Sequence, residues 1–350
     1  MIRTMLGFYI LLVLLILSSL KYVKDFNSGY LAVSTTNAVK GVFILLVFIK
    51  HITPYILKSG YVYGGWAGEA FRYIDSHVGQ WIVAMFLFYS GYGIMESIAK
   101  KGEAYIYGIP KKRMLTVAVN FAIAVIVFSL VGGILGKTYP IKHYLLSLIG
   151  WESVGNSNWY IFVIMLCYLI TYISFRRSLP TEGNAYYGSA FRCVVLLSLS
   201  AIVLSFFKSY YWYDTMLCFG AGLFYSLFKK KTEGFVRKHY WATLAILMLL
   251  LIVTELLSSH ARGFTYNVFS VVLCLLMVTL TMRCEINSKI LMWCGANLFP
   301  LYIYQRIPMI VLSEVGHGKL VCTYPVLYIY GCLIVTVLIA FFYKYWAVKL

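Results

Sequence analysis

Asn37-Ala38-Val39-Lys40-Gly41-Val42-Phe43-Ile44-Leu45-Leu46-Val47-Phe48-Ile49-Lys50-His51 opens an apolar run that continues through Ile52-Thr53-Pro54-Tyr55-Ile56-Leu57. The stretch near 39–57 has the roughly 20 residues that one bilayer-crossing helix needs. It also carries two lysines and an imidazole, groups that are costly in hydrocarbon and so require a partner or a purpose. Eleven positions separate Lys40 from His51. In a helix that is a rise of about 17 Å with the two side chains only about 20° out of register. One stripe therefore bears a cation near one end and an imidazole more than halfway across. Lys40 can snorkel to the interface, whereas His51 cannot easily do so. Lys50 points about 100° away from His51 and makes the region more polar than one stray histidine would.

The remainder of the chain repeats this apolar character. Of 350 residues, 61% are hydrophobic and only 12% charged, about half the charge of a soluble globular domain. So few polar residues cannot cover a soluble surface, which excludes a soluble enzyme, a DNA-binding domain and a disordered tail. Apolar runs long enough to span fall near 4–20, 39–57, 80–98, 114–135, 158–175, 191–207, 212–228, 240–257, 266–282, 289–312 and 326–346. The first lacks a small-residue cleavage site before Lys21-Tyr22-Val23-Lys24 and reads as a retained helix. The expected fold is all-α, a polytopic bundle of about ten or eleven helices with no soluble domain. It forms one membrane-embedded domain over 1–350, in which residues 1–35 add an N-terminal helix and a cytoplasmic loop.

The net charge of +18, from 30 basic and 12 acidic residues, is concentrated between these runs. Nucleic-acid binding would place such charge on one soluble face. Here Lys100, Lys101, Lys111, Lys112 and Arg113 share one loop, and Lys229, Lys230, Lys231, Arg237 and Lys238 another. Smaller groups are Lys21 with Lys24, Arg176 with Arg177, Arg283 with Lys289, and Lys344 with Lys349. Eleven crossings put all six groups on one side, which the positive-inside rule makes the cytoplasm. The expected location is the plasma (inner) membrane, with the N-terminus outside and the C-terminus inside. The eight cysteines show no Cys-x-x-Cys pair or metal-ligand spacing, so neither a zinc site nor a disulfide scaffold is expected.

Several segments, taken in order, resemble the integral-membrane acyltransferase 3 family. Lys40 and His51 match its basic residue and histidine with ten residues between them in an early helix. Val83-Ala84-Met85-Phe86-Leu87-Phe88-Tyr89-Ser90-Gly91-Tyr92 is similar to its Phe-rich run ending in Ser-Gly-Tyr. Lys111-Lys112-Arg113 resembles its basic cytoplasmic loop, and Asn158-Trp159-Tyr160-Ile161-Phe162 the start of a later helix. Asn297-Leu298-Phe299-Pro300-Leu301-Tyr302-Ile303-Tyr304-Gln305 resembles a near-terminal segment in which many members carry His where Gln305 stands. Only Arg113 matches an arginine of the usual Arg-x-x-Arg, and no fused esterase-like domain of the kind many members bear is expected over 1–350.

The resemblance implies acyl transfer, expected to be acetyl, from cytoplasmic acyl-CoA to a hydroxyl of a cell-surface or lipid-linked glycan. His51 would be the general base, a role suited to an imidazole whose ordinary pKa is about 6.5. An acyl-histidine intermediate is the other role open to it. Lys40, Lys111, Lys112 and Arg113 are the candidates for holding the donor's phosphates. Asn158, Trp159, Tyr302, Gln305 and Arg306 are candidates on the acceptor side. Acetyl-CoA, or another acyl-CoA, is expected as a donor substrate and not as a permanently bound cofactor. The expected partners are membrane lipid, acyl-CoA and the glycan acceptor, with no nucleic acid; homo-oligomerisation is left open. Glu96 and Glu255 are the intramembrane acids that could pair with Lys50 or Arg306. The prolines Pro300 and Pro308 should distort their helix and free carbonyls. The histidines His77, His143, His239, His260 and His317 fall at helix ends or in loops and are expected to be solvated. Three blander or rival readings stay open at this level: a packing role for His51, a transporter or glycan-lipid flippase, and a non-catalytic membrane scaffold.

Overall fold

A chain crossing hydrocarbon must pair every backbone N–H and C=O within itself, which favours helices over open strands. The computed structural model describes residues 2–59, 64–177, 185–260, 263–314 and 318–350. Its first half contains α1 (Ile2–Ser19), α2 (Val33–Lys58), α3 (Gly65–His77), α4 (Ala84–Lys101), α5 (Glu103–Ile109), α6 (Thr116–Ile134), α7 (Ile141–Leu148) and α8 (Trp159–Phe175). The second half contains α9 (Ala185–Ser205), α10 (Leu217–Lys238), α11 (Tyr240–His260), α12 (Phe264–Thr281), α13 (Lys289–Ala296), α14 (Leu298–Tyr304), α15 (Arg306–Glu314), α16 (Lys319–Thr323) and α17 (Pro325–Phe342). Two three-residue strands, β1 (Leu20–Tyr22) and β2 (Cys284–Ile286), pair antiparallel with Lys21 opposite Glu285. The fold is all-α, with no soluble domain among the described residues.

Among the described residues, seven helical stretches are long and apolar enough to cross a membrane, and Leu6–Ser19 and Trp159–Phe175 are shorter apolar helices. Three expectations need correction. The span expected at 212–228 begins only at Leu217 and runs on to Lys238, so the lysine-rich stretch is helix and not loop. Residues 103–115 are likewise helical, as α5 followed by a π-helical turn, Pro110–Leu115. Lys, Arg and Glu are good helix formers, and a continued helix keeps the backbone paired where the chain leaves the apolar layer. The third correction is the span at 289–312, which is three successive short helices. Pro300 and Pro308 explain the breaks, because a proline clashes with the carbonyl four residues earlier. Those carbonyls belong to Ala296 and Tyr304, the last residues of α13 and α14.

Helices pair closely where glycines remove the side chain. A Cβ on Gly41 of α2 would collide with the Leu291 carbonyl, and one on Gly295 of α13 with the Asn37 carbonyl. Gly91 of α4 and Gly222 of α10 repeat the device against Phe219 and Phe88. Lipid offers no hydrophobic drive for one apolar helix to meet another, so such close backbone approach supplies much of the packing.

The basic groups come together at one end. Ser226 on α10 donates to Glu96 on α4 at 2.7 Å, and Lys229 lies 5.9 Å from the ring of Tyr92. Glu96 and Ser226 both lie C-terminal to the close approach at Gly91 and Gly222, so the two helices run in the same direction and carry Lys100 and Lys101, and Lys229, Lys230 and Lys231, toward one end. Arg237 stacks on Phe26 at 3.8 Å, Val23 N–H donates to the Arg283 carbonyl at 2.8 Å, and Tyr107 donates to the Arg176 carbonyl at 3.2 Å. Asn120, one turn beyond the basic π-helical turn, pairs with the backbone of Val348 near the C-terminus. The N-terminal end of α2 belongs to the same region, since Tyr30 just before it donates to Glu233 at 2.9 Å.

Candidate active site

α2 is continuous from Val33 to Lys58 despite the internal Pro54, so Lys40 and His51 keep the face and spacing that their positions predict. The reciprocal glycine contacts hold α2 against α13 and so bring α14 and α15 to the region of His51. The His51 and Tyr302 ring centroids are 5.9 Å apart, and the Tyr302 ring meets Tyr160 of α8 edge-on at 5.3 Å. Arg306, one turn beyond Tyr302, lies within electrostatic reach of His51. Its guanidinium makes two long contacts, Nη1 to the Asn156 carbonyl at 3.4 Å and Nη2 to the Tyr55 hydroxyl at 3.5 Å.

Polar atoms in this cluster are left unspent. Among the described residues, His51 Nδ1, the Tyr302 hydroxyl, Arg306 Nε, the Ser157 hydroxyl and the Asn156 amide nitrogen are buried without a hydrogen-bond partner. Buried polar groups are bonded in the great majority of cases, and each exception calls for an explanation. Tyr302 and Arg306 bring two of them to His51, an arrangement suited to holding a ligand or to chemistry. At the C-terminal end of α2 lies a cavity of about 500 Å³ whose described wall includes Pro54, Tyr55, Lys58, Lys137, Gly155 and Arg306; His51 and Tyr302 are not on it, and Tyr55 and Arg306 are its link to the cluster. Gly155 sits at φ +108°, a conformation that side chains rarely adopt, and turns the loop between α7 and α8 past the cavity.

That loop is fixed from outside. Lys208 donates to the Trp151 carbonyl at 2.8 Å and lies 4.1 and 4.6 Å from the rings of Trp151 and Trp212. His143 stacks on Tyr139 at 4.5 Å and bonds the Ser153 carbonyl at 3.0 Å. This corrects its reading as a solvated histidine. His239 is exposed beside Phe235. The side chains of His77 and His260, and all of His317, lie outside the described residues.

Other expectations are redistributed. Lys50 pairs with Asp75 on α3, at 3.0 Å to its carboxylate and 2.7 Å to its carbonyl, and with neither Glu96 nor Glu255. Arg306 has no carboxylate partner among the described residues; Asn156 and Tyr55 take that place. The Asn158 amide donates to the Gly150 carbonyl at 2.9 Å and Trp159 packs on Tyr160 and Tyr211, so both support the loop and helix start. Neither is on the cavity wall. Gln305 is buried with its amide nitrogen on the Tyr302 carbonyl at 3.1 Å. Tyr55, Asn156, Ser157 and Tyr160 are the neighbours that sequence reasoning missed. Tyr55 alone carried a signal, falling one turn after His51 on the same face.

At the basic end, Lys40 is half-buried and has no hydrogen bond or ion pair among the described residues. Lys112 and Arg113 line a separate cavity of about 300 Å³ together with Lys101 and Tyr105, and Arg113 donates to the Tyr105 hydroxyl at 3.1 Å. Lys111 is exposed and, like Lys40, is not on that wall.

The fold defines a multi-pass helical membrane protein with a buried polar cluster around His51. A family model described as an acyltransferase domain, the acyltransferase 3 family, matches residues 33–345, and the chain belongs to that family. Family and apolar helices together make it a membrane acyltransferase. Comparison with curated proteins and with solved structures gives no match.

Proposed function

We propose that the chain moves an acyl group, acetyl in the simplest case, from acyl-CoA on the cytoplasmic side to a hydroxyl of a cell-surface or lipid-linked glycan. The observation that carries this reading is the buried, unpartnered Nδ1 of His51 among unspent groups of Tyr302, Arg306 and Ser157, beside an open cavity. In the step, the His51 imidazole takes the acceptor hydroxyl's proton as its oxygen bonds to the thioester carbonyl carbon. The tetrahedral oxyanion collapses, the carbon–sulfur bond breaks, and the departing CoA sulfur receives the proton from the imidazolium. The products are an ester and free CoA, and no metal is required.

Donor and acceptor would enter from opposite ends of α2. The basic end carries Lys40, and Lys112 with Arg113, cations of the kind that hold the donor's phosphates. That end is then the cytoplasmic face of the plasma (inner) membrane by the positive-inside rule, with the C-terminus inside and the N-terminus outside. Tyr302 and Arg306 lie beside His51, and in this reading they orient the acceptor or donate to the oxyanion. The decisive experiment incubates purified protein with labelled acetyl-CoA and glycan acceptors, with His51→Gln alongside. Label appearing on the acceptor only with the parent protein supports the reading. Equal transfer by His51→Gln rejects the histidine base. Glycan translocation without any acyl donor would instead favour a flippase.

A further inference from the structure

The cavity beyond His51 has an unbalanced wall. Lys58, Lys137 and Arg306 face it with Glu314 as the one acid, and Tyr55 is the one aromatic ring among its described lining residues. None of these four charges is in an ion pair among the described residues. Topology does not account for the cations, because they lie at the end of α2 away from the basic groups. Packing does not either, since Lys58 and Lys137 are exposed and Arg306 keeps Nε unbonded with its other contacts at 3.4 and 3.5 Å. Like charges gathered in a concave, partly dehydrated space repel one another, and they concentrate a ligand of opposite sign. A neutral sugar would relieve none of that repulsion.

We propose that this cavity takes an anionic acceptor, a sugar bearing a carboxylate or a phosphate beside the hydroxyl to be acylated. The calling of this ligand an acceptor rests on the acyl-transfer reading; the anion site itself does not. Arg306 supplies the directional donors nearest His51, and Lys58 with Lys137 supply longer-range attraction at the mouth. The anionic group is thereby held at the outer part of the cavity while the hydroxyl extends to the imidazole. Carboxylate and phosphate share this chemistry and are separated by the test.

The test measures binding of glucuronate, inorganic pyrophosphate and glucose to the full-length protein in nanodiscs of zwitterionic lipid, at low and high salt. The expected result is that an anion binds, that glucose does not, and that salt weakens the binding. Glucuronate favoured over pyrophosphate identifies a uronate-type acceptor, and the reverse a sugar phosphate. The double variant Lys58→Gln/Lys137→Gln should weaken anion binding roughly tenfold, and Glu314→Gln should strengthen it, a gain that misfolding cannot mimic. Glucose binding as tightly as glucuronate, no anion binding, or affinities indifferent to these variants would each overturn the proposal. Labelled acetyl-CoA turnover is followed in parallel. Anion binding without turnover leaves the site standing and rejects acyl transfer. Turnover on a neutral glycan with a KM unmoved by the double variant rejects the anion site and leaves acyl transfer intact.

Discussion

The imidazole of His51 and the phenol of Tyr302 face each other with ring centroids 5.9 Å apart and planes inclined by 56°. His51 Nδ1 and the Tyr302 hydroxyl are both buried and unbonded among the described residues. Two polar side chains from segments some 250 positions apart thus share an apolar interior without satisfying each other. That juxtaposition underlies the chemistry proposed for His51, and it gives the first two predictions their sign.

His51→Gln keeps a polar side chain of similar reach and removes the base. Acyl transfer should fall by about 10²–10⁴-fold, the usual worth of a positioned general base. The thermal unfolding midpoint should stay close to that of the parent, because Nδ1 has no bond to lose. Transfer within threefold of the parent in a labelled-donor assay would remove His51 from the reaction.

Tyr302→Phe deletes a buried hydroxyl whose nearest polar neighbour is the Ser157 side chain and which makes no well-formed hydrogen bond among the described residues. Removing a buried, unsatisfied polar group is neutral or stabilising, so the unfolding midpoint should hold or rise. If the hydroxyl donates to the substrate or the oxyanion, turnover drops by about an order of magnitude or more. A fall in stability with full turnover would assign Tyr302 to packing instead.

Gly41→Leu or Gly295→Leu forces a side chain into the backbone of the facing helix. Overpacking of this kind costs about 1–3 kcal/mol, and here it also separates α2 from the segment carrying Tyr302 and Arg306. Stability and turnover should fall together, as read by thermal unfolding in detergent and by transfer assay. The same change at Gly133, where a Cβ would meet nothing within 4 Å, is the control and should be silent.

The Lys50–Asp75 pair ties α2 to α3, with side chains 35% and 15% exposed. Its partial exposure limits its worth to about 1 kcal/mol. A double-mutant cycle of Lys50→Met and Asp75→Asn should return a coupling of that order. Acceptor and donor KM should be unchanged in both single variants, since the pair is spent on structure.

Lys208→Met removes the ammonium lodged between Trp151 and Trp212. The cation–π contribution is about 1–2 kcal/mol where the cation is largely desolvated. Trp151 is in the loop that carries Asn156, so its loosening should raise the acceptor KM more than it lowers kcat. An unchanged KM would show that the loop is held by its other contacts.

Helical periodicity is a local property, and it made much of this protein legible from the chain. The shared face of Lys40 and His51 follows from their spacing alone. The apolar runs follow from the length of hydrocarbon a helix must cross. The interruptions at Ala296 and Tyr304 follow from Pro300 and Pro308, once the clash four residues back is counted. What the chain did not reveal is which groups meet across helices. Lys50 finds Asp75 and not Glu96; Arg306 finds Asn156 and Tyr55; Tyr160 and not Trp159 reaches Tyr302. In a soluble protein the polar and apolar faces of each helix would have announced those meetings. Here lipid-facing and protein-facing sides are equally apolar, so the choice fell to close packing at Gly41, Gly91, Gly222 and Gly295, and only the tertiary structure records it.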